Sequence, residues 1–347
     1  MKSSGSSQRD PIAAIARSVL YEGYLLWPYR RSALKNQRRW TFGGVYPDAY
    51  SREGHLDDRS LVRTECIVEC DGALDLDVTV RFLHIVERRV ARIDDRGRER
   101  FADAVVVRGI RHVAWQEATE RSVTLTIPSI DLECGVQIEQ PIAIDVGEDR
   151  ELLCEADGRT AGIIVRTWEA IDGSVRVDVQ QAARHVARVR VDIRNDAPWH
   201  GESREATQRR TLIAAHVGLE TSSGAFVSPL DPPSALRDIV ADCENIGLWP
   251  ALVGKEPDRH AMLSSPIILY DYPQVAPESS GDFFDAAEID QLLVLSVLSM
   301  TEDEQARMRE TDPRAREILE RCQSMSSEDL LRLHGTTRDL RVIEDRA

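Results

Sequence analysis

Between about residues 40 and 227, apolar side chains recur at every second position. Successive side chains of a strand point to opposite faces, so this alternation can bury one face of a β-strand but not one side of a helix. In "LVRTECIVEC", Val62, Cys66, Val68 and Cys70 share a side. After the turn "DGAL", the run "LDVTVRFLHIV" puts Leu76, Val78, Val80 and Phe82 on one face. These two runs read as a hairpin. "RSVTLTIPSI" is a further strand, and "TAGIIVRTWEAIDGSVRVDVQ" reads as two strands joined at its Asp-Gly. "HVARVRVDIRN", "RTLIAAHVGLE" and "SSGAFVSP" complete the series. Many short strands with turn signals predict one or two antiparallel sandwiches or barrels.

The alternation stops at both ends. Residues 1–9 read as a disordered tail. Asp10 and Pro11 then supply an N-cap acceptor and a proline at the first helical position. Ile12, Ile15, Val19 and Leu26 continue a helical stripe, which should fray near Trp27 because Pro28 disfavours a helical residue before it. After "LDPP" at 230–233, residues 234–246 look helical and "MLSSPIILYDYPQVAPESSGDFFD" looks irregular. Helical spacing returns in "DAAEIDQLLVLSVLSM", and Thr301 with Glu304 makes a capping box. "DPRAREILERC" and "SSEDLLRLHG" follow. The expected class is α+β: an N-terminal helix, an antiparallel β-sandwich or barrel-like core of many short strands, and a helical C-terminal region. The expected divisions are a tail at 1–9, a helix and junction at 10–39, a β-rich core at 40–233 that would split near 150, and an irregular and helical region at 234–347.

The formal net charge is −15 over 347 residues. Phosphate contact needs a cationic surface, so this balance argues against general nucleic-acid or anionic-membrane binding. Six scattered cysteines fit reduced thiols better than a disulfide framework. The polar start "MKSSGSSQRD" has no apolar core of a secretory signal, and no run reaches the ~18 apolar residues of a membrane span. A cytoplasmic protein without an integral membrane segment is expected.

One stretch departs from the rest. "YEGYLLWPYRRSALKNQRRWTFGGVYPDAY", residues 21–50, holds eight of the chain's 19 aromatic residues, with five basic and two acidic residues. Base stacking is disfavoured by the overall charge. Two readings remain: aromatics that pack the helix onto the first sheet, or a recognition surface, since Trp, Tyr and Arg are frequent interface anchors. Trp27, Tyr29, Arg30, Arg31, Arg38 and Arg39 are the interaction candidates here. Asp271, Glu278, Asp282 and Asp285 are acidic candidates for docking basic partner residues.

No P-loop, dinucleotide fingerprint, HExxH or GxSxG string occurs, and there is no CxxC. Cys66 and Cys70 on one strand face would lie roughly 13 Å apart, too far to share a metal. His84 and His216 fall in apolar strands and read as core side chains. His200 lies near Glu202 and Ser203, a group that could support acid–base chemistry. The carboxylates at 271–290 lack the spacing of an EF-hand loop. No cofactor and no metal are expected. A hydrolase-like enzyme using His200 and Glu202 or the 271–290 carboxylates is one alternative, and a nickel or iron chaperone another.

The strings "VLYEGYLLWPYRRSALKNQRRWTFGGVYP", "TLIAAHVGLE", "GAFVSPLDPP", "NIGLWPALVG" and "MLSSPIILYDYPQVAPESSGDFFDAAEIDQLL" resemble an uncharacterised bacterial protein family. That family is encoded in gene clusters for uptake NiFe-hydrogenases, especially of the actinobacterial high-affinity type. The resemblance runs from about residue 12 to 340 and carries no catalytic residues with it. It implies a non-catalytic accessory protein, for maturation, assembly or scaffolding, whose partners are hydrogenase subunits or other maturation proteins. The absence of CxxC pairs agrees that this is neither the nickel-bearing nor the cluster-bearing subunit.

Overall fold

In the computed structural model, which describes residues 15, 16, 20, 43–273, 297, 300–311 and 313–324, the alternating runs become fifteen strands. In chain order they are β1 (Leu61–Cys70), β2 (Ala73–Ile93), β3 (Glu99–Ala102), β4 (Ala104–Val107), β5 (Ile110–Val113), β6 (Trp115–Asp131), β7 (Val136–Ile144) and β8 (Gly147–Cys154). They continue with β9 (Thr160–Trp168), β10 (Ile171–Ala183), β11 (Val186–Asn195), β12 (Ile213–Glu220), β13 (Gly224–Phe226), β14 (Trp249–Leu252) and β15 (Ala261–Ser265). The described helices are short: α1 (Asp48–Arg52), α2 (Arg204–Thr207), α3 (Arg237–Ala241), α4 (Glu302–Thr311) and α5 (Pro313–Ser324).

One sheet has the order β13-β1-β11-β10-β7, and a second has the order β14-β15-β12-β2-β9-β8, with β3 and β6 also paired to β2. Every paired strand of these sheets is antiparallel. Their inner faces meet in one core. Val62, Cys66, Val68 and Cys70 come from the first sheet, and Leu76, Val78, Val80 and Phe82 from the second. Each fully buried Val, Leu or Phe contributes roughly 1.5–3 kcal/mol, so this shared face holds the sandwich together.

The expected α+β class is corrected by this arrangement. The described chain is mostly antiparallel sheet, with no closed barrel, and its helices are few and short. Strand pairing runs on past residue 233, because β14 and β15 belong to the eight-stranded sheet. The stretch "MLSS" at 262–265, expected to be irregular, is strand. The expected N-terminal helix lies outside the described residues except for Ile15, Ala16 and Leu20, which are helical and buried. The chain divides into two units, Met1–Tyr24 with Arg38–Gln274, and Leu25–Gln37 with Val275–Ala347. Described parts of the second unit are few. In it Thr301 and Glu304 exchange backbone-to-side-chain bonds at the start of α4, and Gln323 of α5 donates to Gln305 of α4 at 2.8 Å.

The expected hairpins are also corrected. β1 and β2 follow one another through Asp71 and Gly72 but lie in different sheets. β9 and β10 do the same, and Asp172–Gly173 lies inside β10 rather than at a turn. Gly173 is there for close packing: a Cβ would stand 2.2 Å from the Arg194 carbonyl oxygen. β7 pairs with β10 while β8 pairs with β9, so one two-stranded ribbon passes from the first sheet into the second. At its corner Trp168 donates from Nε1 to the Asp145 carbonyl at 3.1 Å. The ring lies where a Cβ on Gly147 would come within 2.4 Å.

β2 has 21 residues, roughly 70 Å at the ~3.3 Å rise of a strand. Its first half pairs with β12 and β6 and faces the sandwich core. Its last residues pair with β9 on one side and β3 on the other. There the β4–β5 hairpin supplies Val105 and Val107 to a smaller cluster with Val90, Leu153 and Ile164. This end lobe is separate packing on a shared strand.

Candidate functional site

Two connecting segments, 43–60 and 196–211, meet beside the middle of β2. Asn195 ties them, donating from Nδ2 to the carbonyls of Val45 and Arg210, both at 2.7 Å. Ser203 caps α2 by accepting from the Ala206 N–H. That cap places Arg204 against the other segment. Its guanidinium donates to both oxygens of Asp58, from Nε at 2.8 Å and Nη2 at 2.9 Å, and Nη2 also donates to the Tyr46 hydroxyl at 2.7 Å. Tyr50 donates to Asp58 at 3.1 Å.

Aromatic rings fill the space around this clamp. Tyr46 stacks on Tyr50 at 5.5 Å, His55 stacks on the same Tyr50 at 4.0 Å, and Trp199 meets it edge-on at 5.6 Å. The Arg204 guanidinium lies 5.2 Å over the Tyr46 ring. Burial pushes the Tyr50 hydroxyl up to about 12, with the Asp58 carboxylate adding to the effect. Burial opposes ionisation of Asp58, but the bonds and charge of Arg204 outweigh it and hold that carboxyl below its usual range.

Beside the clamp is a cavity of about 200 Å³, lined among others by Pro47, Pro198, Trp199, Glu169, Glu202 and Arg210. Its charges are engaged with one another. Arg210 Nη1 donates to the Pro198 carbonyl at 2.9 Å and to Glu202 at 3.3 Å, and Nη2 reaches Glu169 at 3.5 Å. Glu202 accepts from the backbone N–H of His200 at 2.6 Å, a bond that lowers its pKa. The expected His200–Glu202–Ser203 group therefore forms a loop lock: Glu202 holds the backbone of His200, and Ser203 caps a helix. His84 lies beside the backbone of Glu169 and Arg209, both of which line the cavity. It is fully buried, a core side chain as expected, and among the described residues neither ring nitrogen makes a hydrogen bond of ordinary geometry. Burial, helped by Arg121, pulls its pKa down to about 4.

A second cavity, of about 330 Å³, lies at the start of β2, beside Asp75, Asp77, Thr126 and Ser129. The Asp75 carboxylate accepts from the N–H groups of Ser222 and Ser223 and from both their hydroxyls. These bonds overcome burial and hold its pKa well below the usual carboxylate range.

Of the interaction candidates, Trp27, Tyr29, Arg30, Arg31, Arg38, Arg39, Glu278, Asp282 and Asp285 lie outside the described residues. Asp271 is described and holds loops together. It accepts from the Leu252 N–H at 2.8 Å and from the Ser228 hydroxyl. Cys66 is buried and its thiol is pushed up by burial, and that of Cys243 is pushed up to about 11 for the same reason. Among the described residues, no three His, Cys, Asp or Glu side chains group closely enough to hold a metal ion. The Tyr46–Tyr50–Asp58–Arg204 clamp was not anticipated. Its one sequence signal was "VYPDAYS", an aromatic pair astride a Pro-Asp helix start. Comparison of the chain with protein-family models and with characterised proteins gives no match.

Proposed function

We propose that this protein is a non-catalytic accessory factor of an uptake NiFe-hydrogenase, acting in the cytoplasm by binding hydrogenase subunits or other maturation proteins. The hydrogenase partner rests on the family resemblance of the sequence strings. The binding mode is supported by one structural observation: the ionic groups around the 43–60 and 196–211 segments are spent on each other. Arg204 is committed to Asp58 and Tyr46, and Arg210 to Glu202, Glu169 and the Pro198 carbonyl. Such a wall is stiff and shaped, with Trp199 and two prolines at the cavity, as a recognition surface needs. Acid–base work would need a group released to a substrate.

Deleting the gene tests the reading. Hydrogenase activity and processing of its large subunit should both fall, and expression of the chain in trans should restore them. A deletion strain with normal activity and normal nickel loading would overturn it.

A further inference from the structure

The sheet of the end lobe has the order β3-β2-β9-β8. Its register sets four side chains in one cross-strand row: Phe101 opposite Ala91, Ala91 opposite Ile163, and Ile163 opposite Leu152. The two middle residues are buried, while Phe101 is 50% and Leu152 60% exposed. Arg150, two positions from Leu152 and on the same face, pairs with Glu99 of β3. In a flat sheet β8 and β3 would stand ~14 Å apart, three strand spacings. Arg150 stands in the row of Arg89 and Glu99 in the row of Ile93, a further ~13 Å along the strands. Together these distances exceed the reach of the two side chains, so the ion pair requires the sheet to twist and curl, bringing its two edges toward each other on this face.

The outer edge of β8 is unpaired: among the described residues its strand partner is β9 alone. An open edge is a template for another strand, and natural sheets guard such edges with proline, charge or short length. Of the other edges, β7 carries Pro141 in its middle, β6 carries Pro128 near its end, and the four-residue β14 carries Pro250. β13 and β3 are three and four residues long. β8 has eight residues and no proline. What guards it is charge of mostly one sign: Glu148, Asp149 and Glu151 against Arg150. That charge repels a second copy of the same edge and attracts a basic one. Leu152 shares its face with the paired Glu148 and Arg150. Asp149 and Glu151 lie on the opposite face, where they and Glu117 share one cation, Arg166 of β9, at 3.7, 2.8 and 2.9 Å. Three carboxylates on one guanidinium leave that face acidic on balance, while Leu152 is the apolar contact of the other.

We propose that the β8 edge is the docking site for an extended basic segment of a partner protein, added to the sheet as a further strand. Its alternate side chains are apolar, against Leu152 and Phe101, and Lys or Arg, against Asp149 and Glu151. Backbone hydrogen bonds supply affinity, and the alternation supplies specificity. This rests on the binding role proposed above and assigns it a surface.

The test titrates the purified full chain with a short labelled peptide alternating valine and lysine. Controls are a peptide with glutamate for lysine, one with the same residues in two blocks, and two N-methylated at alternate positions. The account expects binding of the alternating lysine peptide, weakened by salt, and loss in one N-methylated register but not the other. An Asp149→Lys/Glu151→Lys chain with an unchanged thermal midpoint should bind at least about tenfold more weakly, or about 1.4 kcal/mol. The proposal is overturned if the wild-type chain ignores the lysine peptide, binds the blocked peptide equally, or tolerates both N-methylated registers. Should the charge-reversed chain fail to fold, the N-methylated pair still decides. A wild-type chain that ignores every peptide yet copurifies with hydrogenase subunits would remove the β8 edge and leave the accessory role standing.

Discussion

The sandwich and the end lobe share one strand and treat apolar surface in opposite ways. In the sandwich, β2 meets a complete opposing sheet, and Phe82, Val80 and Val78 have no exposure. In the end lobe the same strand is covered on one face by the β4–β5 hairpin, while on the other Phe101 and Leu152 stay open at the row's ends. A sheet face opposed by a second sheet is used up in folding. A face that ends in two exposed apolar residues and an unpaired edge has surface left for association. The difference assigns stability to the first region and recognition to the second.

That assignment is broken or sharpened by making the same change in both. Phe82→Ala should cost about 3–5 kcal/mol in urea unfolding, because it opens a cavity between two packed sheets. Phe101→Ala should cost about 1 kcal/mol, the scale of the partly exposed Arg89 contact at 4.8 Å from its ring. Equal costs would mean that the end lobe is core like the rest. Arg63→Ala should fall between these two. Arg63 gives the buried Asp192 two bonds, at 2.6 and 2.9 Å, and leaving that carboxylate unpaired should cost about 3 kcal/mol.

A pH series separates the regions further. His84 and His216 are fully buried, and both have pKa values pulled from 6.5 down to about 4, by burial first and then by Arg121 and Arg81 respectively. The folded chain therefore binds these protons more weakly than the unfolded one. Their contribution is complete above about 6.5 and is lost as the pH falls through that value toward about 4. The urea midpoint should fall across this window, and His84→Leu should flatten about half of the histidine-dependent slope. A wild-type midpoint that is level across the window would contradict the burial of both rings. The smallest effect belongs to the edge: Leu152→Ala should leave stability within about 0.5 kcal/mol, as a residue reserved for a partner would.

The faces of the strands were legible in the sequence, and their partners were not. Alternation placed Val62, Val68, Leu76, Val78 and Phe82 on buried sides, and the core contains them. It says nothing about which strand lies alongside. The pairs Asp71–Gly72 and Asp172–Gly173 looked like hairpin turns, but the second lies within β10 and the chain crosses between sheets near both. Crossing is forced by burial: two strands whose apolar faces must meet across a core cannot also be neighbours in one flat sheet. β14 and β15 escaped notice because a four-residue and a five-residue strand show too little alternation to read. The clamp at Arg204 and Asp58 joins residues 146 positions apart, and no local pattern carries such a pairing. The β8 edge was hidden for a related reason, since an open edge is defined by strands that are not there.

Partner retention tests the central claim most directly. The chain and its Asp149→Lys/Glu151→Lys variant, matched in thermal midpoint, would be recovered from cells expressing the hydrogenase genes. Mass spectrometry would then score the hydrogenase subunits and maturation proteins that each retains. The account predicts that the wild-type chain retains at least one of them and that the variant loses most of it. Equal retention by both chains, or none by either, would contradict it.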